Sequence, residues 1–122
     1  MKKIILIVDD NEDFLEEIME LLLLSGYAPI ITSESITVLE QAKKIKPDLV
    51  LLDLKMKEKD GFQVARELKE CPETRDIPII AMTGYYTDEQ YAELINTCRV
   101  CKCLKKPFNP LDVISEIEQI FQ

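Results

Sequence analysis

Side chains able to do chemistry occur where apolar segments of this sequence end. Three carboxylates, one hydroxyl and two ammonium groups share this placement: Asp9, Asp10, Asp53, Thr83, Lys105 and Lys106. Carboxylate oxygens are ligands for hard cations, whereas a lysine ammonium and a threonine hydroxyl suit phosphate oxygens. The set therefore indicates metal-assisted phosphate chemistry, provided that the fold brings the segment ends together.

The three carboxylates would repel one another at close range. At ~4 Å and an effective dielectric constant of ~20, each like-charged pair costs about 4 kcal/mol. Such a cluster needs a cation or bound protons. An all-oxygen ligand set with few protein ligands favours magnesium (Mg²⁺), which keeps water ligands and bridges to phosphate. Asp53 is then the carboxylate left to act as a nucleophile and form an acyl phosphate.

Five apolar segments predict the strands that must position these groups. They are Ile4–Val8, Pro29–Thr32, Leu49–Leu52, Pro78–Met82 and Cys101–Leu104. Three of them are nearly continuous aliphatic runs, as expected of parallel strands covered on both faces. The last segment is more polar and suits the edge of a sheet.

Apolar residues at helical spacing predict a helix after each strand. The proposed inward-facing sets are Phe14, Ile18, Leu21 and Leu22; Val38, Ala42 and Ile45; Phe62, Ala65 and Leu68; Tyr91, Leu94 and Ile95; and Val113, Ile114, Ile117, Ile120 and Phe121. Gly26, Pro47 and Pro72 mark the ends of the first three. A capping-box pattern at Thr87 and an Asn109-Pro110 start open the last two.

Strict strand–helix alternation predicts an α/β fold, a single-domain doubly wound (βα)5 unit over residues 1–122. By analogy with flavodoxin-like folds, the five parallel strands take the order 2-1-3-4-5. Strands one and three are then neighbours at the switch point, and ligands bind outside the carboxyl ends there. The three acids would converge at that edge of the sheet.

Composition excludes several classes of function. The 122 residues carry a net charge of −8 and no histidine, and they contain no basic stripe. Nucleic acid is therefore disfavoured as a direct partner, and catalysis or metal binding through histidine is excluded within this chain. No segment approaches the ~20 apolar residues of a membrane span. A cytoplasmic, non-membrane protein is expected.

The four cysteines, Cys71, Cys98, Cys101 and Cys103, are better interpreted as reduced thiols than as a zinc site, because their spacing does not supply two ligand pairs. The acids and lysines also have ordinary interpretations. An acidic pair after a strand is most often a helix N-cap, a task open to Asp10 or Asn11, and Lys-Pro usually marks a surface turn. Their joint occurrence at consecutive strand ends favours the functional interpretation.

Four stretches carry a resemblance to a known family: ILIVDDN, DLVLLDLKMKEKDGF, PIIAMTG and KKPF. Together they resemble the receiver domain of two-component response regulators, and the likeness runs along the whole chain. The implied site residues are Asp9 and Asp10 as Mg²⁺ ligands, Asp53 as phosphoacceptor and ligand, the main-chain carbonyl of Lys55 as a further ligand, and Thr83 and Lys106 as phosphoryl contacts. Lys105 falls at a variable position.

The resemblance implies a signalling module and not an enzyme. A sensor histidine kinase or phosphotransfer protein would donate a phosphoryl group from phosphohistidine to Asp53. Phosphorylation would draw Thr83 inward and switch the surface of helix 4, strand 5 and helix 5 toward a downstream protein or output domain. That surface also suits a phosphorylation-dependent homodimer. The chain ends one helix after Lys106, which fits a stand-alone receiver or part of a longer regulator.

Several positions depart from the family pattern. Lys57 replaces the usual proline after the phosphoacceptor, which implies a looser loop, and Arg99 replaces a common glycine before strand five. Cys103 replaces an aromatic switch residue. Lys55 and Tyr85 occupy the positions that govern water access to the acyl phosphate, and bulky Tyr85 would slow its hydrolysis.

Other functions fit the sequence less well. The main alternative is a phosphorylation-independent pseudo-receiver, favoured only by Lys57 and Cys103. A haloacid-dehalogenase-type phosphatase wants a second aspartate two residues after the nucleophile, where Lys55 stands. A flavin binder would need a phosphate loop after strand one, and DDNED would repel a phosphate.

Overall fold

The computed structural model describes residues 1–84, 87–106 and 108–122, so the hypothesis about Tyr85 lies outside the described residues. The strands are β1 (Ile4–Val8), β2 (Ala28–Thr32), β3 (Leu49–Asp53), β4 (Ile79–Thr83) and β5 (Lys102–Lys105). The α-helices are α1 (Glu12–Leu24), α2 (Val38–Ile45), α3 (Gly61–Glu70), α4 (Asp88–Asn96) and α5 (Pro110–Ile120), and a 3₁₀ turn, Ser35–Thr37, precedes α2.

All four strand pairs are parallel, and the sheet order is β2-β1-β3-β4-β5. The predicted α/β fold and strand order are therefore confirmed. Strand bounds differ from prediction by about one residue. The difference matters at Asp53 and Thr83, which are the last residues of β3 and β4 and are held by the sheet.

The core lies on both faces of the sheet. On one face, β1, β3 and β4 pack against α2, α3 and α4. On the other face, the same strands pack against α1 and α5. All five residues of β3 and of β4 are buried. Each fully buried leucine or isoleucine contributes about 1.5–3 kcal/mol, so the central strands are firmly fixed.

Most helix starts carry the predicted caps. The side chain of Asn11 accepts a hydrogen bond from the Phe14 N–H, and Thr87 forms a complete capping box with Gln90. Asn109 caps α5, with Pro110 at its first position. Asn11, and not Asp10, is therefore the N-cap of α1, which leaves the Asp10 carboxylate to face the strand ends.

The prediction for α4 was partly wrong. Leu94 is buried, but Tyr91 and Ile95 are 45% and 37% exposed. Leu94 joins the apolar cluster on the α4 side of the sheet, whereas the other two residues do not. The strand β5 lies at the edge of the sheet, and its end residues Lys102 and Lys105 are exposed. The predicted edge character of β5 is confirmed.

None of the helices among the described residues is long and apolar enough to cross a membrane.

Candidate metal and phosphoryl site

Three carboxylates meet at the carboxyl edge of the sheet. Val8 pairs with Leu52 across β1 and β3, so Asp9, one residue further, lies beside Asp53. Asp9, Asp10 and Asp53 each offer an oxygen within 4.8 Å of the others. Asp9 and Asp53 are buried and Asp10 is exposed. The predicted convergence of the acids is thus present in the structure.

Lys106 closes the site from the end of β5. Its Nζ atom lies 2.9 Å from Asp9 Oδ2 and 3.7 Å from Asp53 Oδ1. The Lys106 N–H donates a hydrogen bond of 2.6 Å to the Thr83 carbonyl, which fixes the backbone of this residue to β4. Lys105 is exposed at the sheet edge, and the contacts described for the site come from Lys106.

Thr83 and Lys55 border an open cavity next to the carboxyl ends of β3 and β4. The cavity measures about 550 Å³, and its lining includes Lys55, Thr83, Gly84 and Thr87. Thr83 is buried at the end of β4. The Lys55 N–H donates to Asp53 Oδ1 at 3.3 Å, so the backbone after β3 turns back toward the carboxylate. The cavity thus lies between the segment that follows β3 and the end of β4.

The Asp53 carboxyl resists ionisation in the metal-free protein. Its pKa is raised to about 6, first by burial and then by the neighbouring Asp9 charge. Lys106 and the Lys55 N–H act in the opposite direction and lower the pKa, while Asp10 adds a small further increase. Burial and like charge outweigh the single lysine, which means that the site has a deficit of positive charge.

The residues fit a divalent cation. Three carboxylates, two of them buried, share one short edge of the sheet, and one ammonium cannot neutralise them. Their donor atoms are all oxygen, which suits a hard ion such as Mg²⁺. The group contains no thiol, and the four cysteines form no disulfide with one another among the described residues.

The loop between β3 and α3 is held at several points, although Lys57 stands there in place of proline. The Gly61 N–H donates to the Leu54 carbonyl at 2.9 Å, and Asp60 caps α3. Lys59 Nζ binds both oxygens of Glu67 at 2.8 and 3.0 Å. These contacts limit the looseness that Lys57 implied.

The structure also shows the surroundings of Arg99 and Cys103, two further positions that depart from the family pattern. Arg99 has a φ of 51°, in the left-handed region that favours glycine, so the common glycine would fit this backbone without strain. Cys103 is partly buried against the apolar cluster that contains Leu94, on the α4 side of the sheet. The thiol stands where the resemblance to the receiver family implies an aromatic switch residue.

Two aromatic residues beside Lys106 were not singled out from the sequence as site residues. Lys106 Nζ lies 5.3 Å from the centre of the Phe14 ring, and Phe14 makes an edge-to-face contact with Phe108 at 5.9 Å. The apolar spacing of α1 indicated that Phe14 faces inward. Its contact with Lys106 depends on how α1 packs near the end of β5, which spacing does not reveal.

Comparisons with known proteins agree with this geometry. Residues 5–118 match the family model of the response regulator receiver domain. The polar-differentiation response regulator DivK of Brucella anthropi is 38% identical over 85 residues, covering 70% of this chain and 69% of DivK.

Solved structures show the same fold. The chemotaxis protein CheY4 of Vibrio cholerae superposes with a TM-score of 0.90 at 22% identity, covering 98% of this chain and 99% of that one. The signal receiver domain of a DNA-binding response regulator from Colwellia psychrerythraea is 30% identical with a TM-score of 0.87, and the match covers 98% of each chain. With strand-end acids, threonine and lysine gathered at one edge of such a sheet, this chain belongs to the response regulator receiver domain family of two-component signalling.

Proposed function

We propose that residues 1–122 act as one receiver domain that accepts a phosphoryl group on Asp53 in a Mg²⁺-dependent reaction. The observation that carries this proposal is the position of Asp53 beside two further carboxylates and the Lys106 ammonium. The donor is a phosphohistidine of a sensor histidine kinase or a phosphotransfer protein, as for the receiver family.

An Asp53 carboxylate oxygen attacks the phosphorus atom, and the P–N bond to the donor histidine breaks as the P–O bond forms. The electron pair of the broken bond returns to the imidazole, which takes up a proton. Mg²⁺ bound by Asp9, Asp10, Asp53 and the Lys55 carbonyl would neutralise charge on the transferring group. Lys106 supplies a second positive charge at the same place. The reaction is one transfer per protein, so the chain serves as a signalling module and not as a turnover enzyme.

The acyl phosphate would then bias the surface beside the site. Thr83 ends β4 next to the cavity, and a phosphoryl group on Asp53 gives its hydroxyl a new charged partner. Movement of Thr83 would affect the segment that leads to α4, where Tyr91 and Ile95 face outward. We propose that the α4, β5 and α5 surface carries the signal to a downstream protein or output domain.

Intact-mass spectrometry after incubation with acetyl phosphate and Mg²⁺ tests the proposal. We expect one added phosphoryl group in the wild-type protein and none in Asp53→Asn or in the presence of EDTA. Asp13→Asn is the matched control, because Asp13 is an exposed acid on the first turn of α1. An unmodified wild-type protein that is fully folded would favour a phosphorylation-independent pseudo-receiver.

A further inference from the structure

We propose that Ser35 is a positioning residue for the cation and phosphoryl site, acting through the loop of residues 54–60. The inference rests on the proposed function, because it assigns a role within that site. Ser35 lies in the 3₁₀ turn before α2 and is only 3% exposed. Its Oγ atom accepts a hydrogen bond of 3.0 Å from the Lys59 N–H, 24 positions along the chain.

The loop that Ser35 holds connects the site to α3. Its first residues follow Asp53 directly and include Lys55, whose N–H donates to the Asp53 carboxylate. Its last residues lead into Gly61, whose N–H donates to Leu54. The hydrogen bonds at Leu54 and Asp60 join the two ends of the loop to each other and to the start of α3. Ser35 instead fixes the loop to the α2 side of the molecule.

This anchor matters because of the sequence of the loop. Lys55, Lys57 and Glu58 are exposed, and Lys57 does not restrict φ as a proline would. The backbone around Lys55 must nevertheless keep one geometry for its carbonyl to serve as a cation ligand. A buried hydroxyl that fixes Lys59 reduces the number of loop conformations and so favours the binding-competent one.

The Ser35→Ala variant tests the role directly. We expect the Mg²⁺ dissociation constant, measured by calorimetric titration, to rise about 3- to 10-fold, the change expected when one buried hydrogen bond is lost. In the metal-free protein, the Lys59 amide should exchange its hydrogen faster. This second measurement needs neither Mg²⁺ nor phosphate.

Thr74→Ala is the matched control. Thr74 is also buried, and its hydroxyl donates a hydrogen bond of 2.6 Å to the Leu68 carbonyl, after the C-terminal end of α3. We expect this variant to lose stability while its Mg²⁺ affinity and its Lys59 amide exchange stay as in the wild type. Should Ser35→Ala fail to fold, Ser35→Cys replaces it, because a thiol of similar size is a weaker acceptor.

The outcomes separate the two proposals. Equal Mg²⁺ affinity in the wild type, Ser35→Ala and Thr74→Ala would overturn the role of Ser35 and leave the phosphoacceptor proposal intact. Equal loss of affinity in both variants would also overturn it, since a general loss of stability would then explain the effect. A wild-type protein without Mg²⁺ binding would overturn both proposals, and Lys59 exchange would still show whether the anchor exists.

Discussion

Lys106 is the cation of the site, and its neighbour Lys105 provides a natural control. Lys106 Nζ lies 2.9 Å from Asp9 and is only partly exposed, whereas Lys105 is exposed. We predict that Lys106→Met slows phosphorylation by acetyl phosphate on the order of 100-fold, because a preorganised charge near the transferring group is lost. Lys105→Met should keep the wild-type rate. Phosphorylation time courses followed by intact mass measure both, and equal rates in the two variants would contradict the prediction.

Phe14 supports Lys106 through its ring. A cation over an aromatic face is stabilised by about 0.5–1 kcal/mol at a partly exposed site, which corresponds to a factor of about 2–5. We predict that Phe14→Leu lowers the rate of phosphorylation by that factor. Phe14→Tyr, which keeps an aromatic ring, should retain the wild-type rate. Acetyl phosphate is the donor of choice, because its small size makes the rate independent of any protein docking surface.

Phe121→Leu is the control for Phe14. Phe121 also lies near a lysine, 5.4 Å from Lys3 Nζ, and packs against Tyr27, but it belongs to the end of α5. We expect this variant to lose stability without a change in the rate. A similar rate decrease in both variants would show that Phe14 acts through stability alone.

The residue types of the site could be predicted from the sequence, because Asp9 and Asp53 directly follow apolar runs and the Lys105-Lys106 pair follows another. The choice of Lys106 over Lys105 came from the resemblance to the receiver family. Phe14 and Ser35 could not be assigned in this way. The contact of Phe14 with Lys106 and the hydrogen bond from Lys59 to Ser35 join residues that lie far apart in the sequence. Such contacts depend on how helices and loops pack, which periodicity alone does not specify.

At the scale of elements, Gly61 sets how closely α3 approaches the end of β3. A Cβ atom at this position would lie 2.5 Å from Leu54 Cα and 2.6 Å from the Asp53 carbonyl oxygen. Both are backbone atoms and cannot move aside alone. We predict that Gly61→Ala lowers the free energy of unfolding by about 1–3 kcal/mol and weakens Mg²⁺ binding, because the β3–α3 loop must shift.

Gly84→Ala is the matched substitution at the end of β4. A Cβ atom there meets nothing within 4 Å, so stability should stay within about 0.5 kcal/mol of the wild type. Urea denaturation and calorimetric Mg²⁺ titration of both variants provide the measurements. If Gly61→Ala loses Mg²⁺ affinity but keeps its stability, the β3–α3 loop has shifted while the packing of α3 has stayed unchanged.

The positions of the strands were predicted more accurately than the buried faces of the helices. In an aliphatic run such as Leu49–Leu52, side chains on both faces of the strand must be buried, and this requirement places the strand in the interior of the sheet. In α4, only Leu94 of the three residues predicted to face inward is buried, so apolar spacing overestimated the buried side of this helix. Tyr91 and Ile95 therefore face outward although their spacing suits a core.

At the scale of the whole molecule, the fold concentrates negative charge at one edge of the sheet. The central strands are buried on both faces, so Asp9 and Asp53 are held where they repel each other. Mg²⁺ binding should therefore stabilise the folded protein. The gain is about 2.7 kcal/mol at a free concentration one hundred times the dissociation constant, and EDTA should remove it.

The same charge makes stability depend on pH in the metal-free protein. The pKa of Asp53 is about 6 in the folded state, above the ordinary value of 3.8, because of burial and the Asp9 charge. A carboxyl whose folded pKa is raised stabilises the fold below about pH 4, and this stabilisation is lost as the pH rises through about 6. At pH 7 and without metal, the wild-type protein should therefore be less stable than a variant that lacks the Asp53 charge.

Asp53→Asn tests this dependence, since asparagine has nearly the same shape and no charge. With EDTA present, we predict that the variant is more stable than the wild type by about 1–3 kcal/mol at pH 7, a range that allows for the open, water-accessible cavity beside the site. The gap should close as the pH falls from 6 to 4, because Asp53 becomes neutral as well. Urea denaturation at several pH values measures this difference in stability.

Asp13→Asn is the control and should show a small change of the opposite sign, because a negative charge is favourable on the first turn of α1. A gap for Asp53→Asn that is equal at pH 4 and pH 7 would mean that shape, and not the confined charge, separates the two proteins.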